Sequence, residues 1–313
     1  MTVTNLECTT LNSLRLIRRG KVRDIYEVNK SALLLVATDR ISAFDFLLNN
    51  TVEDKGNILT MLTNYWLFKV LPASFPNLKH HVIAMGPPEN SIACMEEKAR
   101  LANRSMVVKK YQMFPFECIV RGYITGSAWI EYQEKGTVHG MPQPAGLKHG
   151  QQFPGGPIYT PAIKAPYGER DENIHPDRAR EMVGERYANR MESLSLELYK
   201  VAHKWALHRG IIIADTKFEF GHDEVTDDII VADEILTPDC SRFWSVEDYS
   251  VGQAQKSFDK QFLCDWLTVN DLKAKTGVKV PDNVIAQTRA NYREIFLRLT
   301  GQDLDQALAS GQN

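Results

Sequence analysis

Several hallmarks of specialised protein classes are missing from this 313-residue chain. Its five cysteines are scattered, odd in number and free of any Cys-x-x-Cys pair, which argues against a disulfide framework and a structural zinc site. No apolar run is long enough to span a bilayer, and the N-terminus shows neither a secretory signal pattern nor an arginine-rich presequence. We therefore expect a cytoplasmic protein without a membrane partner.

A large charge of either sign is also lacking, because 37 lysines and arginines nearly balance 39 aspartates and glutamates. The absence of a basic tail argues against nucleic acid as the main partner. The chain contains no H-E-x-x-H, G-x-S-x-G, G-x-G-x-x-G or G-x-x-x-x-G-K-[ST] motif, which excludes the commonest zinc, serine-hydrolase, dinucleotide and P-loop sites. The histidines show no metal-ligand spacing, and the adjacent His80 and His81 are expected to be solvated in a loop.

The remaining composition is that of a globular protein, with 43% hydrophobic and 24% charged residues. The length suffices for two sub-domains. Apolar periodicity and turn residues predict strands over 19–28, 32–38, 105–110 and 117–121, and helices over 55–71, 128–134, 177–208, 259–267 and 283–299. A lobe boundary is placed after residue 112, which gives an N-terminal lobe of 1–112 and a larger lobe of 113–313.

The most informative segments are IIIADTKFEFG (residues 211–221) and IIVADEILTPDCSRFW (residues 229–244). In a strand, Asp215, Lys217 and Glu219 share one face. Gly221 and the polar residues after it are expected to connect the two segments as a hairpin, which brings Glu219 close to Asp233. Two hard carboxylates suit a magnesium–phosphate site, because Mg²⁺ takes one or two protein carboxylates beside substrate phosphates. A surface hairpin with solvated charges fits the pattern equally well.

The segment IIIADTKFEFG closely resembles one signature of the phosphoribosylaminoimidazole-succinocarboxamide synthases, the SAICAR synthetases of purine biosynthesis. FPFECIVRGYITGSAW (residues 114–129) resembles the other signature, and RGKVRDIYEV, DRISAFD and PDCSRFW fit the same family. The similarity runs from about Arg19 to Thr300 and is greatest to the longer, fungal-type members. Two long signatures in the right order are far more specific than a single glycine motif.

The resemblance implies a two-lobed α+β fold related to ATP-grasp enzymes. An antiparallel N-terminal lobe covers the nucleotide, and a larger mixed α/β lobe carries the substrates and metal. It also implies a carbon–nitrogen ligase that joins carboxyaminoimidazole ribotide (CAIR) and L-aspartate with release of ADP and phosphate, through an acyl phosphate. ATP is then a substrate and Mg²⁺ the cofactor. The predicted catalytic residues are Lys217, Glu219 and Asp233, the last two as metal ligands.

The nucleotide site is predicted around the R-G-K-V-R motif, in which Lys21 and Arg23 alternate to one face of a strand. A short basic strand is usually just solvated, but the resemblance implies that both side chains contact ATP phosphates. The segment 107–118 resembles the adenine-binding hinge, although Glu117 could equally form a surface salt bridge with Arg121. Lys164 and residues 169–173 are candidate lid residues. The predicted ATP-binding residues are Gly20, Lys21, Val22, Arg23, Lys109, Glu117 and Lys164.

The second substrate site is predicted around Arg121–Trp129, where arginine, glycines and Ser127 precede a helix. A helix N-terminus beside an arginine can bind a phosphate, whereas Ser127 could also be a plain helix cap. The resemblance implies that Arg121, Ser127 and Arg242 bind the ribotide. The DRISAFD segment could equally be a capped turn. The predicted ribotide- or aspartate-binding residues are Asp39, Ser42, Asp45, Arg121, Ser127, Asp215, Asp239, Arg242, Asp259 and Lys260.

Two alternatives to this ligase stay open at the level of sequence. One is a kinase-like phosphotransferase or another ATP-grasp ligase, which would not consume both aspartate and ribotide. The other is a catalytically silent nucleotide-binding scaffold, against which the presence of both Glu219 and Asp233 argues. The sequence leaves open the oligomeric state, the order of substrate binding, the adenine-contacting hinge positions and the residues that hold aspartate.

Overall fold

The computed structural model describes residues 6–44, 46–89, 91–92, 94–164, 171–273, 275 and 277–310. Its strands are β1 (Arg15–Arg19), β2 (Arg23–Asn29), β3 (Ala32–Ala37), β4 (Arg40–Ala43), β5 (Phe46–Thr51), β6 (Val82–Met85), β7 (Ser105–Lys109), β8 (Gln112–Met113), β9 (Phe116–Arg121), β10 (Thr137–Val138), β11 (Met141–Pro142), β12 (Ile158–Tyr159), β13 (Ala162–Ile163), β14 (Glu172–Asn173), β15 (Ile211–Asp223), β16 (Asp228–Ala232) and β17 (Ser241–Ser245). Its α-helices are α1 (Lys55–Tyr65), α2 (Met95–Leu101), α3 (Gly126–Lys135), α4 (Pro176–Val183), α5 (Glu185–Leu207), α6 (Gln261–Val269), α7 (Asp282–Thr300) and α8 (Leu304–Ser310).

The first main sheet has the strand order β1-β2-β3-β7-β6, with antiparallel neighbours. The apolar run of β3 lies at its centre and is almost entirely buried. The predicted strand over 19–28 is wrong in one respect. The chain turns at residues 20–22, where the Gly20 amide donates to the Arg23 carbonyl at 2.7 Å, so Lys21 lies in a turn and does not share a strand face with Arg23.

The second main sheet is organised around the 13-residue strand β15, which pairs with β8, β9, β16 and β17. Its alternation is confirmed, since Phe218 and Phe220 are buried whereas Lys217 and Glu219 are partly exposed. The predicted hairpin is confirmed by the pairing of β15 with β16, but Gly221 is not part of its turn, because β15 continues to Asp223. Gly221 instead permits a close approach, since a Cβ there would lie 2.9 Å from the Tyr111 Cβ.

The helices begin and end near the predicted positions, with two differences. The helix from Lys55 becomes a π-helix over Trp66–Val70 and a 3-10 turn over Leu71–Ala73. The single helix predicted over 177–208 is two helices, because Gly184 has φ 83° and ψ 148° and separates α4 from α5. The last long helix is confirmed as α7, capped by Gly301 at φ 74°.

One hydrophobic core crosses from the first sheet to the second. Leu35 and Met106 of the first sheet belong to the same buried cluster as Phe116 and Phe218 of the second. The chain passes between the sheets at residues 110–111, next to the predicted lobe boundary. Because the core does not divide at this point, the division at 112/113 stays a prediction. Among the described residues, no helix combines the length and apolar character needed to cross a bilayer.

Candidate active site

A buried carboxylate holds two arginines in the middle of the second sheet. Asp215 of β15 lies opposite Arg121 of β9 and Arg242 of β17, so the sheet register brings the three side chains together. Both guanidinium groups donate to the same Asp215 oxygen, Arg121 at 3.1 Å. Burial lowers the pKa of Arg121 despite Asp215, whereas the carboxylates of Asp215 and Asp259 outweigh burial and raise the pKa of Arg242. The predicted grouping of these residues is therefore present.

The Arg242 guanidinium packs against the N-terminus of α3. Gly126 has φ +57°, and a Cβ there would lie 2.6 Å from Arg242 Nη2, so only glycine permits this contact. The interpretation of Ser127 as a helix cap is wrong, because the cap position is Thr125 and Ser127 lies exposed in the first turn. An arginine fork, a free helix N-terminus and an exposed hydroxyl together can bind a phosphate or a carboxylate.

The carboxylates predicted to bind metal lie at the far end of β15. Glu219 faces Ala232, the last residue of β16, and Asp233 follows at φ 56°. Glu219 forms an ion pair with Lys164, and Asp233 accepts a hydrogen bond from Arg23 Nη1 at 2.9 Å. Burial and the nearby Asp233 charge raise the pKa of Glu219 to about 7. The two acids are therefore close enough to repel, and a cation between them would relieve this repulsion.

This donor set fits the predicted magnesium ion. Both side chains are hard carboxylates, and no third His, Cys, Asp or Glu joins them in a metal-binding group within the described ranges. Mg²⁺ characteristically uses one or two protein carboxylates and completes its shell with water and phosphate oxygens. Burial, and then the charge of Asp233, raises the pKa of Glu219, and a cation beside the two carboxylates would favour its ionised form.

Lys217 joins this cluster from the same face of β15. Its ammonium group lies 2.7 Å from Glu117 on the neighbouring strand β9 and 3.9 Å from Asp171. The alternative salt bridge between Glu117 and Arg121 is therefore wrong, because each residue pairs across the strands and not along its own strand. Of the predicted lid residues, 169 and 170 lie outside the described residues.

A second buried ion pair involves a residue that the sequence reasoning missed. Lys55 at the start of α1 is fully buried and lies 2.7 Å from Asp239. Tyr292 of α7 donates to the other Asp239 oxygen at 2.5 Å, and Lys260 also acts on this carboxylate. Although burial opposes ionisation, these partners hold the pKa of Asp239 well below its usual range. The one available signal was a lysine at a helix start within an otherwise apolar pattern.

Other predicted site residues serve the scaffold. Asp39 is fully buried and accepts hydrogen bonds from the Leu6 and Gly56 amides and from Arg104. Asp259 accepts from the Phe243 and Gln261 amides, and its burial raises its pKa to about 6. These contacts use both oxygens of each carboxylate, and the roles of Asp39 and Asp259 in substrate binding stay a prediction.

The remaining predicted positions lie nearer the surface. Lys109 is half-exposed, pairs with Asp223 at 3.1 Å and lies over the Tyr111 ring. Ser42 lies half-buried in the β4–β5 hairpin, and Asp45 lies outside the described residues. Missed by the sequence reasoning, Arg40 fixes the turn at residues 20–22 through the Gly20 and Lys21 carbonyls.

The adjacent histidines differ from expectation. His81 is only 6% exposed and His80 is half-buried, so the prediction that both are solvated is wrong. Burial lowers the pKa of the His81 ring to about 4, and the charge of Asp233 opposes this shift only in part. The sequence around His80 and His81 gives no sign of this burial, because the segment lies beside strand β16, about 150 residues later in the chain.

Comparison with known proteins identifies the family that shares this architecture. The family model for SAICAR synthetase matches residues 16–281. The phosphoribosylaminoimidazole-succinocarboxamide synthase of Saccharomyces cerevisiae is 49% identical over 308 residues, which cover 96% of this chain and 98% of that protein. The Schizosaccharomyces pombe enzyme of the same name is 49% identical over 288 residues, 91% of this chain and 94% of that protein. A solved structure of S. cerevisiae SAICAR-synthase complexed with SAICAR aligns at TM-score 0.84 and 47% identity, covering 96% of this chain and 99% of that chain.

The fold, the clusters of basic and acidic groups and these similarities define an ATP-dependent carbon–nitrogen ligase. The chain belongs to the SAICAR synthetase family. Its activity is the ATP-dependent ligation of CAIR with L-aspartate in purine biosynthesis, and neither the kinase-like nor the catalytically silent alternative is favoured.

Proposed function

We propose that the ligation proceeds through an acyl phosphate. A carboxylate oxygen of CAIR attacks the γ-phosphorus of ATP, and the bond to the β-phosphate oxygen breaks to release ADP. The aspartate amine, as the free base, then attacks the activated carbonyl carbon. Phosphate leaves, and the nitrogen loses a proton to give the amide. This route needs positioning and charge neutralisation more than a protein nucleophile.

The phosphoryl-transfer end of the site is proposed to be the Glu219–Asp233 cluster. Lys21, Arg23, Lys164 and Lys217 provide positive charge, and Mg²⁺ held by the two carboxylates would supply Lewis-acid charge neutralisation. In the structure Arg23 spans Asp233 and Glu234, and Lys164 is paired with Glu219. Binding of the nucleotide is therefore expected to exchange these internal pairs for phosphate contacts. Lys109, Glu117 and the turn at Gly20 and Val22 are proposed to contact the nucleotide at its edges.

The ribotide phosphate is proposed to bind between Arg242, Arg121 and the first turn of α3 at Ser127. Asp215 fixes both guanidinium groups, and their Nε atoms donate to Thr160 and Gln261, so a ligand would contact their terminal nitrogens. Arg242 is the more accessible of the two, with 28% of its side chain exposed against 4% for Arg121. Lys260, whose charge acts on the Asp239 carboxylate, is a candidate for binding a carboxylate of the substrate aspartate, and so is Lys164.

The observation that carries this proposal is the spacing along β15. Asp215 and Glu219 share one face of the strand and stand four residues apart, which corresponds to about 13 Å. This separation suits a ribotide phosphate at one end and a reacting carboxylate near the nucleotide at the other. Mg²⁺ as the metal and the cytoplasm as the location are part of the same proposal.

A coupled assay of ADP release tests this assignment. Sustained ADP release should require ATP, CAIR and L-aspartate together, and Glu219→Gln and Asp233→Asn should each lower turnover by several orders of magnitude. The exposed Glu247→Gln is the matched control and should leave turnover unchanged. Near-normal activity of either acid variant across a magnesium titration would contradict the metal assignment.

A further inference from the structure

All three carbonyl groups of the turn between β1 and β2 accept hydrogen bonds from residues shortly after β3. Arg40 donates from Nη2 to the Gly20 carbonyl and from Nε to the Lys21 carbonyl, each at 3.1 Å. The Val22 carbonyl accepts from the Thr38 amide at 2.9 Å and from the Thr38 hydroxyl at 2.8 Å. The backbone of this turn is therefore held from one side by two residues of a single segment.

The Arg40 guanidinium group extends this support to two further parts of the chain. Its Nη1 donates to the Glu7 carbonyl at 2.6 Å, and its Nη2 also donates to the Asp24 carboxylate at 2.8 Å. Arg40 is only 8% exposed, and each of its three side-chain nitrogens has a partner within the protein. Lysine could not replace it, because a single ammonium group lacks the planar fork of donors that spans these acceptors.

The segment 6–11 before β1 gives Arg40 a fixed point of attachment. The Leu6 amide donates to the Asp39 carboxylate at 2.7 Å, and the Leu6 carbonyl accepts from the Asp39 amide at 2.8 Å. The amide and the hydroxyl of Thr9 both donate to Asp24 at 2.8 Å. Leu6 is also buried in an apolar cluster with side chains of β2 and β3. This segment lies before the part of the chain that the family model matches, so the family assignment gives it no role.

We propose that Arg40 is a positioning residue for the nucleotide. A trans peptide points its N–H away from the preceding carbonyl, so a turn whose carbonyls face Arg40 and Thr38 presents the amides that follow them on the opposite side. Holding the turn in this arrangement before ATP arrives avoids an ordering cost at the moment of binding. Asp24 and the segment 6–11 are the anchor through which Arg40 acts. The inference rests on the proposed contact between this turn and the nucleotide.

Substitution of Arg40 separates the binding of ATP from the other steps of the reaction. Arg40→Lys and Arg40→Gln should each raise the ATP KM at least tenfold, because neither side chain can hold the Gly20, Lys21 and Glu7 carbonyls together. The CAIR KM should stay within twofold of the parent enzyme, and kcat at saturating ATP should stay within threefold. Calorimetric titration with ADP should show a matching rise in Kd.

Two smaller changes and two controls complete the series. Thr38→Val removes the hydroxyl contact to the turn, and Asp24→Asn weakens the anchor, so each should raise the ATP KM at least threefold. Glu7→Ala should behave as the parent enzyme, because Glu7 is exposed and accepts from Arg40 through its backbone carbonyl. Leu62→Ala removes buried apolar contacts in α1, so it should lower the melting temperature but keep the ATP KM within twofold.

The outcomes separate this inference from the proposed function. Lys21→Met should itself raise the ATP KM, and if it does not, the proposed nucleotide site is assigned to the wrong part of the chain. If Lys21→Met raises it while folded Arg40→Lys and Arg40→Gln keep the parent ATP KM, the positioning role alone is wrong. Equal rises in the KM of ATP and CAIR in the Arg40 variants, or a tenfold rise of the ATP KM in Leu62→Ala, would also overturn it. If neither Arg40 variant folds, a parent ATP KM in both Thr38→Val and Asp24→Asn overturns the inference.

Discussion

At the scale of single residues, Glu219 is held where its negative charge is unfavourable. Its side chain is only 19% exposed and lies beside Asp233, and both conditions raise its pKa to about 7. A carboxyl group whose pKa is raised on folding stabilises the folded state below its unfolded pKa near 4.5. This contribution is lost as the pH rises through about 7.

Glu219→Gln should therefore become more stable than the parent protein as the pH rises from 5 to 8. The pKa shift from 4.5 to about 7 corresponds to at most about 3.5 kcal/mol, at roughly 1.4 kcal/mol for each pKa unit. Denaturant unfolding of ligand-free protein at several pH values measures the difference. The exposed Glu247→Gln should show no such pH-dependent gain. A constant stability difference across this range would show that Glu219 titrates normally.

The same titration should govern metal dependence. Because metal and proton compete for the Glu219 carboxylate, activity at low Mg²⁺ is expected to rise with pH through about 7, and the midpoint should move to lower pH as Mg²⁺ is raised. Initial rates over a grid of pH and Mg²⁺ concentration check this. A midpoint that does not change with Mg²⁺ would remove Glu219 from the metal site.

Arg242→Ala should weaken ribotide binding by about 1.5–3 kcal/mol through the loss of a charge-assisted contact. Arg121→Ala should do the same and also lower thermal stability, because Arg121 is 4% exposed and its loss leaves Asp215 with one partner fewer. Values of KM for CAIR and ATP, with melting temperatures, separate the two effects. The exposed Arg15→Ala is the control. A raised ATP KM with an unchanged CAIR KM in both variants would show that the pocket is assigned to the wrong substrate.

At the scale of elements, strand β15 connects the two ends of the site, and Gly221 sets how closely its neighbour can approach. A Cβ at this position would lie 2.9 Å from the Tyr111 Cβ, at the junction between the two sheets. Gly221→Val should destabilise the fold by about 1–3 kcal/mol, as overpacking generally does. Gly155→Ala, where the space is open, should be neutral. Equal unfolding free energies for the two variants would contradict this role of Gly221.

These elements also show what the sequence can and cannot predict. The two faces of β15 could be predicted from the alternation of polar and apolar residues. The proximity of Glu219 and Asp233 could be predicted from the hairpin, although its turn lies after Asp223. The ion-pair partners could not be predicted from the sequence, because the pairs Glu117–Lys217 and Arg121–Asp215 depend on the register between β9 and β15. The break at Gly184 was missed since glycine is compatible with a helical pattern until its backbone angles are known.

At the scale of the whole molecule, ion pairs and hydrogen bonds to two buried carboxylates connect the start of the first helix to the last long helix. Asp54 accepts from Arg289 at 2.8 Å and from Arg293 at 2.7 Å, both on α7. One residue later, Lys55 pairs with Asp239, which also accepts from Tyr292 of α7. The helix α7 is thus bonded to the N-terminal half of the chain, in addition to the hydrophobic core that the predicted lobes share.

Lys55→Met tests how far this connection determines the stability of the whole protein. Removing one partner of a buried pair typically costs about 3–5 kcal/mol, and here it leaves the Asp239 carboxylate with only Tyr292 and the charge of Lys260. We expect a single unfolding transition at lower temperature, because the pair joins elements from both halves of the chain. Lys69→Met, on the exposed surface just after α1, should leave the transition unchanged. Adding Asp239→Asn to Lys55→Met should recover part of the loss, since the unpaired charge is then gone. A Lys55→Met protein as stable as the parent, or a double variant less stable than the single, would show that this ion pair does not hold the two halves together.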